Sequence, residues 1–156
     1  LAMVGVGARA SGSTRDSRKD IGYGIYDELD FEVITETAGD VEARIKVRIG
    51  EVAQSLKLVR QLISKLRRNA ETQLAAELGE LQQEEGHFTW GISESARGDN
   101  LHCLLLDKEG RIDRLFARSA SYPNWPALTV AVQGDIIPDF PLINKSFELC
   151  YACIDR

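Results

Sequence analysis

Apolar residues recur at Ile45, Ile49, Val52, Leu56, Val59, Ile63 and Leu66, in alternating steps of four and three. That spacing puts all seven on one stripe of an α-helix and predicts a helix over 40–68. Asp40 is placed to cap its first turn, and Lys65, Arg67 and Arg68 sit at the end where the helix dipole favours cations. The stripe runs for about three heptads, enough to meet a partner helix, but its first reading is the core face of its own domain. Period-two patterning takes over from His87, where HFTWGISE alternates as a half-buried strand does. The runs LHCLLLD and RIDRLFARS flank Lys108-Glu109-Gly110, predicting a hairpin turned at a glycine that tolerates positive φ. Two short helices follow: ALTVAVQ, stopped by Gly134, and FPLINKSF after Asp139.

The remaining stretches are less regular. Residues 1–39 read as an irregular opening segment rich in glycine, serine and charge. Its GVGARA matches a GxGxxA phosphate-binding pattern, but only four apolar residues precede it and the polar SGSTRDSRKD follows. A dinucleotide fold needs a full strand before and an apolar helix after, so a flexible or close-packed glycine loop is the better reading. Residues 69–85 are acidic and helix-prone with weak periodicity, as in a surface excursion. The class predicted is α+β in a single domain over 1–156: a long amphipathic helix and short C-terminal helices against a small antiparallel hairpin sheet over 87–118, with 124–156 holding the short helices and the tail.

Composition narrows the function. At 156 residues and 17.3 kDa the chain is one domain's worth, with 44% hydrophobic and 28% charged residues, which excludes wholesale disorder. Nineteen basic against 24 acidic residues give a net charge of −5, which repels phosphate backbones and argues against nucleic acid as a partner. No apolar run approaches the roughly 18–20 residues of a membrane span, and no signal-peptide pattern opens the chain. Three cysteines do not make a secreted disulfide framework, pointing to a reducing cytoplasm. The chain starts at Leu1 rather than methionine, as a piece of a longer protein would.

Candidate chemistry concentrates in two places. Cys150 and Cys153 form a CxxC whose spacing, in a turn, turns both sulfurs to one side, suiting a soft metal or a dithiol. A structural zinc wants four ligands, and the other Cys and His residues are His87, His102 and Cys103; the last two are adjacent in a strand and face opposite ways. The pair is therefore half of a site, or else two unrelated thiols in a tail. Arg97, in the stretch Glu94–Asp99, sits before Gly98 at a tight strand exit that leaves its guanidinium free to project. Ser121 and Asn124, in ASYPNW, offer a hydroxyl and an amide, or simply turn chemistry.

Five stretches occur in one order: ARASGSTRDSR…YDELDFEV, GDVEARIKVRIGEVAQSLKLVRQ, SESARGDNLH, ARSASYPNWPAL and SFELCYACIDR. That order resembles the C-terminal part of the large subunit of nickel–iron hydrogenases, specifically the energy-converting formate hydrogenlyase and Ech type. It also resembles the homologous quinone-adjacent core subunit of respiratory complex I. The complex I subunit ends in a stretch like GEVDR without cysteines, whereas the hydrogenases end in DPCxxC; Cys150 and Cys153 favour the hydrogenase branch.

The resemblance implies that these two thiolates supply half the ligands of a Ni-Fe(CO)(CN)2 centre, Cys153 bridging nickel to iron. Arg97 matches the arginine of the family's EAPRG stretch, which overhangs the metals and assists heterolytic H2 cleavage. Ser121 matches a hydroxyl residue near the cyanide ligands, Glu148 a carboxylate above the metals, and His102 a packing histidine. Ala96 stands for the family's proline, and Glu148-Leu149 for its Asp-Pro, which loosens two backbone positions and lengthens the carboxylate by one methylene. The family's first CxxC would precede Leu1, so the isolated chain is expected to be inactive. The implied partners are the N-terminal half of the large subunit, an iron–sulfur small subunit and a membrane arm, with the whole peripheral to the cytoplasmic face of a membrane. An end at Arg156 suits a precursor trimmed by a maturation protease or a gene ending there. The alternatives are an NADH-quinone oxidoreductase core subunit, which binds no nickel, and an inert split fragment.

Overall fold

A computed structural model describes residues 2–68 and 87–154 of the chain. The expected helix is present as α3, Val41–Arg68, about 42 Å long at the α-helical rise. Asp40 caps it as the sequence implies, its Oδ1 accepting the Ala43 N–H at 2.8 Å. The helix-prone stretch at 69–85 lies outside the described residues.

The sheet is also as read. Strands β1 (Phe88–Ser95), β2 (Gly98–Leu106) and β3 (Ile112–Arg118) form one antiparallel sheet in the order β1-β2-β3. Trp90, Cys103 and Phe116 share a rung, and Gly110 turns the second hairpin at φ 74°. At the C-terminal side, α5 (Phe140–Phe147) occupies the predicted FPLINKSF, while α4 (Ser121–Ala131) starts before ALTVAVQ. It runs through Pro123 and Pro126: the first lies in the opening turn, where no amide partner is needed, and the second costs only one helical hydrogen bond.

The opening segment is more ordered than its composition suggests. It holds α1 (Gly5–Arg9), α2 (Ser17–Asp20) and a 3-10 turn at Tyr26–Glu28. Every residue of α1 is buried, so of the two readings GVGARA is close-packed rather than flexible, and it is wound into a helical turn rather than a loop. Val6 and Ala10 pack on Ala43 and Val47 of α3; Leu29 and Phe31 cover Leu58 further along. A third cluster joins α4 and α5 through Ala127, Leu128, Ile143 and Phe147. Arg44 ties α3 to α5, donating to Ser146 Oγ at 2.9 Å while its guanidinium lies 4.1 Å from the Phe147 ring centre.

One expectation fails. The seven-residue stripe of α3 is not the core face: Ile45 to Leu66 are each 45% to 66% exposed, and the helix buries Ala43, Arg44, Val47 and Leu58 instead. The opening segment covers the side of α3 with small and polar positions, because the ion pairs described below hold it there.

Arg9, only 1% exposed, is the centre of that packing. Its Nε donates to Glu51 at 2.6 Å, and one terminal nitrogen donates to Glu94 at 2.9 Å and to the Arg15 carbonyl at 3.2 Å. Arg9→Met leaves these carboxylates buried without their cation, which should cost about 3–5 kcal/mol. Leu56→Glu, on the exposed stripe, should change stability by no more than about 0.5 kcal/mol. Urea denaturation of the two variants checks the contrast, and similar losses would disprove the assignment of core and surface.

Candidate functional site

The β1–β2 turn, the start of α4 and the chain's tail converge at one place. Gly5 (φ 63°) and Gly98 (φ 127°) face one another across this junction: a Cβ on Gly98 would lie 2.8 Å from the Gly5 nitrogen, and a Cβ on Gly5 would meet the Arg97 carbonyl. Both positions require glycine, on backbone conformation and on space. Buried Asn124 closes the junction. Its Oδ1 accepts the Val4 N–H at 2.9 Å, and its Nδ2 donates to the Val4 carbonyl at 3.0 Å and the Arg97 carbonyl at 3.4 Å. The sequence offered Asn124 as an amide hydrogen-bonder or as turn chemistry; its partner Val4 lies 120 residues away, and no local pattern identifies it.

This clamp fixes the backbone of Arg97, whose exposed side chain reaches the tail, Nε donating to the Glu148 carbonyl. Glu148 caps the C-terminus of α5 in the left-handed conformation at φ 54°, the sole non-glycine residue with positive φ among the described residues. That backbone costs roughly 1–2 kcal/mol and turns the chain sharply into Leu149-Cys150. The Glu148 carboxylate lies 3.6 Å from Arg48 of α3.

Ser121, 1% exposed at the start of α4, accepts the Cys150 N–H on its Oγ at 3.0 Å. Its oxygen thus anchors the first cysteine, and its hydroxyl proton is left to donate elsewhere. Cys150 and Cys153 are both free and half-buried. The neighbouring Cys153 side chain holds the Cys150 thiol below its ordinary range, helped by backbone N–H groups and the Arg97 charge. Arg97, Glu148, Ser121, Cys150 and Cys153 therefore form one constellation. His102 lies apart, exposed on β2. Among the described residues no group of three or more His, Cys, Asp or Glu could hold a metal ion by itself.

Behind Glu148 opens a cavity of about 270 Å3, walled by Glu51, Arg48, Glu94 and Ala96 among others. Burial raises the Glu51 carboxyl above its ordinary value, even against the attraction of Arg9. Nothing in the local pattern marks Glu51, which reads as one more polar position on an amphipathic helix.

In metal-free protein, Cys153→Ala should raise the Cys150 thiol pKa, because the donor that stabilises the thiolate is gone. Alkylation of Cys150 should then need higher pH, and an unchanged rate–pH profile would refute the pairing.

The full chain, residues 1–156, matches the family described as the 49 Kd subunit of respiratory-chain NADH dehydrogenase. It is 35% identical over 162 residues to formate hydrogenlyase subunit 5 of Escherichia coli, covering 98% of this chain and 26% of that protein. It is 36% identical over 149 residues to an NADH-quinone oxidoreductase subunit of Salinispora tropica, covering 96% of this chain and 38% of that protein. A chain in the structure of the membrane-bound sulfane sulfur reductase, an archaeal respiratory membrane complex, superposes with a TM-score of 0.85 at 26% identity, over 99% of this chain and 42% of that one. The chain thus spans well under half the length of these relatives. With its α+β fold shared and its whole length matched, the chain belongs to the family of the 49 Kd respiratory NADH dehydrogenase subunit, which also takes in hydrogenase large subunits.

Proposed function

We propose that this chain is the C-terminal portion of the catalytic large subunit of an energy-converting nickel–iron hydrogenase, in which Cys150 and Cys153 supply two of four thiolates. The observation that carries the reading is the tail: two free thiols in one turn, the first anchored by buried Ser121, beside an arginine whose backbone is clamped. The donor chemistry fits such a centre, since soft thiolates that ionise readily are what nickel and iron take. When bound, the centre supplies the redox change and polarises H2.

The chain's own residues do the rest. Cys150 and Cys153 deprotonate to bind. Ser121 fixes the direction in which the Cys150 sulfur projects. Arg97 places a permanent cation over the site, where it stabilises charge separating in the transition state without reorganising. Leu149, on the sharp turn after Glu148, packs into the α4–α5 cluster and holds the tail's depth.

The partners follow from the exposed stripe of α3. Its flanking positions carry Arg60 and Arg67, and also Lys46 and Arg48, which pair with Glu42 and Glu148; the edge beside Arg60 and Arg67 suits an apolar helix with acidic residues there. Pairing two copies antiparallel would set Lys46 against Arg67, which disfavours self-association. We assign the face to the N-terminal half of the large subunit, with an iron–sulfur small subunit and a membrane arm completing the complex on the cytoplasmic face of a membrane. Among the described residues no helix is long and apolar enough to cross a membrane.

Cys150→Ser in the complete complex should abolish nickel insertion; nickel retained at wild-type stoichiometry would sink the ligand assignment. The quinone oxidoreductase relatives at equal identity support a second reading. A complex free of nickel but active with quinone would establish it in place of the first.

A further inference from the structure

The cluster around Arg9 holds one carboxylate more than it has cations. Arg9 and Arg18 face Asp16, Glu51 and Glu94. Asp16 is fully engaged, taking Arg18 on both oxygens at 2.9 and 2.6 Å. Glu94 is engaged too, with Arg9 on one oxygen at 2.9 Å and the Ser17 N–H on the other at 3.1 Å. Glu51 differs. Its Oε1 takes the Arg9 Nε at 2.6 Å, and its Oε2 has no hydrogen-bond partner among the described residues. Glu51 lines the same cavity as Glu148, which stands two residues before Cys150. That space admits several water molecules between polar walls.

We propose that Glu51 is a proton-holding residue, taking protons on Oε2 from water in this cavity and returning them, so that it links the cysteine tail to the protein's surface. The proposal rests on reading the tail as a site whose reaction exchanges protons with its substrate. In H2 oxidation each molecule yields two protons and two electrons. The electrons leave through the iron–sulfur partner; each proton passes along cavity water to the Glu51 carboxylate, forms the neutral acid, and departs to solvent, restoring the carboxylate. H2 formation runs the same transfers backwards. The neutral acid is accessible because burial already favours it, and protonating Oε2 leaves the Arg9 bond on Oε1 in place. The charged groups facing Glu51 are Arg9 from α1, Asp16 and Arg18 from α2, Arg48 from α3, Glu94 from β1 and Glu148 from the tail. The last two are acidic and disfavour a further negative charge beside them.

The test is Glu51→Gln in the complete complex, with Glu51→Asp beside it. The glutamine keeps an oxygen for Arg9 but cannot titrate. We expect unchanged metal content, a denaturation midpoint lowered less than in Arg9→Met because Glu94 still pairs with Arg9, turnover lowered at least about tenfold with partial recovery in Glu51→Asp, and loss of a protonated-carboxyl C=O band from the infrared difference spectrum between acid and alkaline pH. Turnover within about twofold of wild type, with that band intact, would overturn the proposal. So would a lowered midpoint with the band intact, which assigns Glu51 to structure alone. Should the complex prove nickel-free and quinone-active, the hydrogenase reading fails, yet the band and the quinone turnover still test Glu51, since quinone reduction consumes protons.

Discussion

A single buried guanidinium organises this chain. Arg9 holds Glu51 of α3, Glu94 of β1 and the backbone of the opening segment at once. Removing a guanidinium from water is expensive, and only carboxylates at bonding distance with the remaining donors satisfied make it tolerable. The arrangement is correspondingly selective: the long helix, the sheet and the opening segment meet at Arg9 only in the observed geometry. The hydrophobic clusters along α3 are small, comprising four buried residues in one case and three in another, so the ion network fixes orientation where apolar contact is thin.

That orientation is transmitted to the site through backbone rather than through side-chain bulk. With β1 held by Glu94, its exit turn meets α1 at Gly5 and Gly98, where nothing larger fits. Asn124 then ties the Arg97 carbonyl to the Val4 backbone across this junction, and Ser121, one turn earlier on α4, ties Cys150. Arg97 and the two thiols are therefore referred to the same short helix. Their relative position follows from α4, which explains why proline at 123 and 126 is useful: it stiffens the element on which both depend.

The exposed stripe of α3 bears on how much of the machine this chain represents. Seven large apolar residues in a heptad register, flanked by cations, are a surface that a soluble monomer seldom leaves bare. The relatives are more than twice as long, and the structural match covers 42% of its counterpart. An exposed apolar face of this kind agrees with a chain that spans under half the length of its relatives, where further chain has this surface to cover.

Local signals determined much here. Periodicity marked α3, the β2–β3 hairpin and α5, because apolar spacing, a capping Asp40 and turn glycines act over a few residues. The tail's two thiols were legible for the same reason, since their separation by two residues suffices to bring them together in a turn. The ordered stretches that carry the family resemblance were equally visible, and the family is the one that matches. Only tertiary structure decided which side of α3 is buried, because an amphipathic stripe states that a face is apolar but not what covers it. It alone decided that Asn124 is a clamp, that Glu51 lines a cavity while pairing with Arg9, and that Arg9, in a segment reading as irregular, is the pivot. Each of these depends on partners distant in the chain, 42 residues away for Arg9 and Glu51 and 120 for Asn124 and Val4. Burial of charge is settled by such distant partners, and nothing in the local sequence records it.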